Sequence, residues 1–151
     1  MSRMSRRSAF TLVEILIVVI ILAILAAAVI PQFTDSTADA RNSTSVFNLN
    51  TFRSQIAVYK AQHMGVAPTG ADAAAITALL TGKTNADGTT TGTPPFGPYF
   101  QAIPNNPAVT DPTKQSLLKV VTADPTANDP AFGWIYNKTT GAVFSAADYT
   151  K

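Results

Sequence analysis

Between Arg7 and Asp35 the sequence holds a single charged side chain, Glu14. It stands at the head of an unbroken apolar run, Ile15 to Ile30. An acidic side chain in a membrane-length helix costs on the order of 2–3 kcal/mol at the bilayer centre, less near an end, and usually has a partner. Glu14 therefore asks for a cation. A cut between Ala9 and Phe10 would create one, a free α-amine on Phe10 four residues before the acid. Such a pair in a low dielectric costs far less than either charge alone. The same cut would remove Arg3, Arg6 and Arg7. Other candidate chemistry is sparse. His63 is the sole histidine and there is no cysteine, so Ser-His-Asp catalysis, multi-histidine metal sites, thiolate zinc and cysteine nucleophiles lack parts. His63 reads as a surface or packing residue at a helix end. Asp124, Asn128 and Asp129 offer oxygen of the kind calcium takes, but Pro125 and Pro130 share their loop, and such residues are common in turns. Gly82 to Gly92 lacks the GxxxxGK[ST] order that cradles phosphate. Trp134 and Tyr136 fit a sheet core better than a sugar platform. No carboxylate pair is set for acid–base work. The reading is a non-enzyme with no catalytic residue, no assigned metal ligand and no cofactor.

The elements that position Glu14 follow from where the apolar residues sit. Phe10 to Phe33 holds 20 apolar residues in 24, whereas Thr34 to Lys151 holds 47 in 118, of which 19 are alanine. Charged residues are only 13% and the net charge of +2 gives no case for nucleic acid. At about 1.5 Å per residue, Thr11 to Ile30 as a helix spans about 30 Å, one hydrocarbon core. The arginines on its N-terminal side hold that end in the cytoplasm. Three readings fit. A cleaved secretory signal would have a shorter apolar stretch, although Ala26-Ala27-Ala28 mimics its cleavage site. A plain signal anchor leaves Glu14 unexplained. A segment cut before Phe10 explains both the acid and the arginines.

Arg6-Arg7-Ser8-Ala9-Phe10-Thr11-Leu12-Val13-Glu14, followed by Ile15–Ile30 and Pro31, resembles the class III signal of type IV pilins and type II secretion pseudopilins. The resemblance implies cleavage between Ala9 and Phe10 by a membrane prepilin peptidase and N-methylation of the Phe10 amine. It implies that Glu14 sets register in a filament, and it matches Pro31 to the family's helix proline. Ala9 departs from the glycine usual before the cut, which bears on cleavage efficiency.

Thr34 to Met64 contains neither glycine nor proline, and Ser45, Leu49, Phe52, Ile56, Tyr59 and His63 recur at spacings of three and four. That is one helical face. Arg41, Arg53 and Lys60 lie mostly off it, and Gly65 is the expected stop. The spacing predicts one helix from Thr11 to Met64, about 80 Å long. Pro31 lacks an N–H and clashes with the carbonyl of Ala27, which predicts a kink. Either the kink is simply tolerated in a membrane helix, or the segment stretches when helices bundle.

All eight glycines and nine of ten prolines lie at or after Gly65, so the chain changes there to loops and short elements. Asp72 to Leu80 reads as a short helix with Thr69 or Gly70 near its N-cap. Gly82 to Pro95 reads as a mobile polar loop, and Phe96 to Pro107 as an ordered loop anchored by aromatics over the helix. Leu117 to Thr122 reads as a strand. Phe132–Asn137 and Ala142–Ser145 flank a glycine-containing turn, a hairpin signal. The expected sheet is three-stranded and antiparallel. The expected core is Phe47, Leu49, Phe52, Ile56, Tyr59, Trp134 and Tyr136. Ala67-Pro68-Thr69, Gly97-Pro98-Tyr99-Phe100, Ile103-Pro104-Asn105-Asn106-Pro107 and Gly133-Trp134-Ile135-Tyr136 resemble the major pseudopilin of type II secretion systems. The calcium loop common in that family is not matched by the tail from Ser145 to Lys151, which has one acid.

The expected class is α+β and pilin-like: a long helix, half transmembrane and half amphipathic, packed on a small sheet. The expected organisation is a leader over 1–9, a filament-core helix over 10–30, the amphipathic half over 31–64 and a soluble domain over 65–151. The expected role is a pseudopilin subunit in a short secretion filament. The alternatives are a surface pilus for adhesion, motility or DNA uptake, and a simple membrane-anchored binding domain. The implied partners are the chain itself as a homopolymer, the prepilin peptidase, other pseudopilins and inner-membrane assembly proteins. The implied location is the bacterial inner membrane with the C-terminal domain periplasmic.

Overall fold

The computed structural model describes residues 10–150, apart from the side chains of residues 30–35. The element order is α1 (Leu12–Gln62), α2 (Ala73–Thr81), β1 (Leu118–Val121), β2 (Trp134–Asn137) and β3 (Val143–Ser145). The chain divides into two compact units, Met1–Asp39 and Ala40–Lys151. The first contributes the apolar part of α1 and the second everything that builds a core.

Helix α1 is 51 residues long, and its backbone continues through Pro31. The kink expected at Pro31 concerns a residue whose side chain lies outside the described set. The helix stops through the backbone. Met64 takes a left-handed φ of 52° and Gly65 follows at 84°. The Gly65 N–H then reaches back to the carbonyl of Lys60 at 2.7 Å. That six-to-one bond satisfies a carbonyl the helix would leave orphaned.

In the second unit the face predicted by the three-and-four spacing is the buried one. Ser45, Leu49, Phe52, Ile56, Tyr59 and His63 are all buried. Phe47 is not in the core. It is 69% exposed, because it sits between Ser45 and Leu49 and so points to the opposite side of the helix.

Helix α2 is capped by Asp72, not by Thr69 or Gly70. The Asp72 backbone is extended and its Oδ1 accepts from the Ala75 N–H at 2.9 Å, the usual reach from N-cap to third helical residue. At its other end the Leu80 carbonyl accepts from the N–H groups of Tyr99 and Phe100, both at 3.0 Å. This ties the aromatic loop down where Leu80 and Ile76 enter the core.

The sheet has the order β1-β2-β3. It is mixed, not antiparallel throughout. β1 runs parallel to β2, pairing Leu118 with Trp134, and β2 runs antiparallel to β3, pairing Trp134 with Ser145. The physical reason is connection length. Residues 138–142 make a hairpin with Gly141 at φ 76°, whereas 122–133 is long enough for the crossover that parallel neighbours need. Gly133 has its own constraint: a Cβ there would overlap the carbonyl oxygen of Gln115.

The core joins Leu49, Phe52, Ile56 and Tyr59 of α1, Ile76 and Leu80 of α2, Tyr99, and Leu118, Trp134, Tyr136 and Val143 of the sheet. Phe52 meets Phe100 and Trp134 edge-on, with centroids 5.1 and 5.9 Å away. Such pairs add to the burial of large rings. The polar ends of the aromatics are satisfied. Trp134 Nε1 donates to the Pro104 carbonyl at 2.7 Å and the Tyr136 hydroxyl to the Pro68 carbonyl at 2.8 Å.

Candidate assembly segment at the N-terminus

Phe10 to Val29 has no core to enter. Its large apolar side chains are exposed throughout, from Phe10 to Val29. Leu12–Val29 has a mean hydropathy of 3.2 and the length to cross a bilayer. Water disfavours such exposure by about 25 cal/mol per Å² of apolar surface.

Glu14 opens this helix. Its Oε2 accepts from both the Thr11 N–H and the Thr11 hydroxyl, each at 2.9 Å. The Glu14 N–H donates back to Thr11 Oγ1 at 3.2 Å. Thr11 and Glu14 thus form a capping box, with Thr11 as N-cap and Glu14 as third helical residue. The carboxylate also faces the positive end of the helix dipole. Charge-counting alone assigns Glu14 only a need for a cation. The box shows that neutral donors of the same segment already hold one of its oxygens. The Thr-x-x-Glu spacing was the signal for this. Both of these bonds to the carboxylate end on the same oxygen, Oε2.

An arginine-bearing start, a capped acid and a helix of exposed apolar side chains therefore occupy one stretch. The chain carries the prokaryotic N-terminal methylation motif. It is matched over residues 4–30 and is the hallmark of type IV pilins and pseudopilins. No curated protein and no solved structure matches the chain significantly. The motif supports a type IV pilin-like or pseudopilin subunit, a class of structural filament proteins rather than enzymes. It implies processing by a prepilin peptidase and filament assembly with related subunits. The apolar helix within it fits a membrane anchor. Phe10 is exposed at its start, and Ala9, the other side of the expected cut, lies outside the described residues.

The remaining candidates fall inside the domain. His63 is a packing residue, 2% exposed and stacked on Tyr59 at 3.7 Å. Its Nδ1 is 2.7 Å from the Tyr59 carbonyl and its Nε2 is 2.9 Å from Thr84 Oγ1. Thr84 in turn pairs by its backbone with Phe96, so the polar stretch from Gly82 to Pro95 is pinned at both ends rather than loose. Asp124, Asn128 and Asp129 are each engaged by protein. Asp124 accepts from Asn137 Nδ2 at 2.7 Å, Asn128 from the Tyr149 N–H at 3.0 Å, and Asp129 from Lys119 Nζ at 2.7 Å. The Lys119 hydrogen bond holds the Asp129 carboxyl below the usual aspartate range. Trp134 and Tyr136 are sheet core, and burial pushes the Tyr136 hydroxyl well above the ordinary tyrosine range.

One residue carries more than its sequence suggests. Asn106 is fully buried, accepts from Ser45 Oγ at 2.6 Å, and donates to the Gly133 carbonyl at 2.7 Å and Ser145 Oγ at 2.9 Å. It joins α1 to β3 and to the residue just before β2. Only its neighbourhood of prolines and asparagines hinted at an ordered loop.

Proposed function

We propose that this chain is a pseudopilin of a type II secretion system. It is held in the bacterial inner membrane with its domain in the periplasm, cut between Ala9 and Phe10, and methylated on the new Phe10 amine. It then polymerises, with other pseudopilins and inner-membrane assembly proteins, into a short filament that drives folded cargo outward. The observation that carries the reading is the methylation motif on a helix whose described large apolar side chains are exposed from Phe10 to Val29.

The physical sequence is as follows. The arginines of residues 1–9 anchor the uncut segment. Cleavage removes them and exposes an ammonium group close to the Thr11–Glu14 box. The carboxylate then takes a charge-assisted bond from the amine of its own or a neighbouring subunit. Moving the helix from lipid into a bundle of like helices is nearly neutral in apolar burial, so specificity rests on this polar pair and on packing. Contacts that do not close give an open filament.

The lack of any cysteine to close a C-terminal loop, together with the likeness of the Gly97–Phe100 and Gly133–Tyr136 segments to the major pseudopilin, favours secretion over a surface pilus. Deletion of the gene tests this. The expected result is folded exoproteins trapped in the periplasm, restored by a plasmid copy. Loss of long surface fibres with secretion intact would move the chain to the surface-pilus reading.

A further inference from the structure

The sheet has an open side. β1 stands at its edge, and among the described residues β2 is its one neighbour. Two bonds fix the phase of that pairing. The Trp134 N–H donates to the Leu117 carbonyl at 3.1 Å, and the Lys138 N–H to the Val121 carbonyl at 3.0 Å. In a parallel pair with Leu118 opposite Trp134, Lys119 and Val121 turn their backbone groups toward β2. The N–H and C=O groups of Leu118 and Val120 therefore point away from it, about 6.6 Å apart along the strand. Lys119 is the strand's one charge and the ordinary kind of guard for an edge, but it is held by Asp129 at 2.7 Å.

This edge borders a groove of about 690 Å³. Its lining includes Ala74 and Ala78 of α2, Leu117 and Leu118 at the start of β1, and Ile103 and Phe132. No lining residue is charged. Ala74, Ala78 and Leu117 are exposed. An occupant that suits both the edge and the groove must offer backbone donors and acceptors at strand spacing and carry no charge. A helix has already paired those groups within itself, a lipid chain has none, and a charged tail would lose hydration with no counter-ion in the lining. An extended peptide meets every requirement. We infer that the groove between α2 and β1 takes an extended, uncharged segment of a partner protein, added as a fourth strand beside β1 with alternate side chains against α2. The site lies wholly within the second unit and does not depend on the filament reading.

The test titrates the full chain in detergent with the uncharged peptide acetyl-Thr-Val-Thr-Val-Thr-amide and follows backbone amides by NMR. The expected result is saturable shifts at Leu118, Val120, Ala74 and Ala78, with slower amide exchange at Leu118 and Val120. The same peptide N-methylated at its central residue should bind about tenfold more weakly, the loss of one backbone bond. Val120→Pro removes one outward N–H and spares the bonds to β2, so it should weaken binding by a similar factor. Ala78→Lys, outside the core, places a charge in the groove and should do the same with the domain melt unchanged, which keeps the test open if the proline variant does not fold. Absence of shifts at millimolar peptide, shifts confined to other residues, or binding that ignores both N-methylation and Ala78→Lys overturns the inference. Shifts at the same amides on concentrating the chain alone also overturn it, since the edge is then covered by a second copy.

Discussion

The two units of the chain share one helix and use it in opposite ways. Up to Asp39, α1 exposes its described large apolar side chains, and Glu14 at its head is held by a neighbour three residues away. From Ala40 onward the same helix buries a narrow stripe, and its tertiary hydrogen-bond partners come from 37 to 90 residues away, as with Gln62 to Tyr99 and Arg53 to Val143. The first unit is all local geometry and no core. The second is held by long-range contacts, and among the described residues no buried side-chain polar atom lacks a bond. The lesson is that an apolar helix can be fully formed without a core of its own.

This contrast predicts that damage in one unit stays there. Trp134→Ala should cost the domain about 3–5 kcal/mol, read by chemical denaturation of the full chain in detergent, while cleavage before Phe10 proceeds as before. Loss of cleavage as well would show the units to be coupled. Asn106→Ala leaves Ser45, Ser145 and the Gly133 carbonyl short of partners, and should cost about 1–3 kcal/mol in the same assay. Thr11→Val acts on the other unit. It should weaken the N-terminal turn by about 1 kcal/mol, seen as faster amide exchange near Glu14, with the domain melt unchanged.

The smallest effects come from pH, and they belong to the domain. Hydrogen bonds from Lys119 to Asp129, and from Thr113 and Thr89 to Asp111 and Asp87, depress the native pKa of these carboxyls. The unfolded chain then binds more protons, so their contribution is complete above about pH 4 and is lost as pH falls through the depressed values. Burial raises Tyr136, Tyr59 and Tyr99. Their contribution holds below about pH 10 and is lost as pH rises beyond it. Thermal melts at acid, neutral and alkaline pH check both limbs, and Tyr136→Phe should flatten the alkaline one.

Much of this was legible in sequence where the signal is local. The stripe from Ser45 to His63 follows from spacing, and the stop at Gly65 from residue type. Phe47 shows the limit of residue type alone: an aromatic counted into the core stands off the stripe by position. The direction of β1 was not legible, because parallel pairing depends on how residues 122–133 travel and not on the strand's own residues. Asn106 was not legible because Ser45, Gly133 and Ser145 converge on it only in space. Glu14 was found as an unbalanced charge, yet its box with Thr11 was missed in a spacing that the sequence displays.

The central claim is that this chain works after cleavage before Phe10. Mass spectrometry of the N-terminus of chain recovered from filaments tests it most directly. A chain beginning at N-methylated Phe10 is the predicted result, and a chain beginning at Met1 contradicts it.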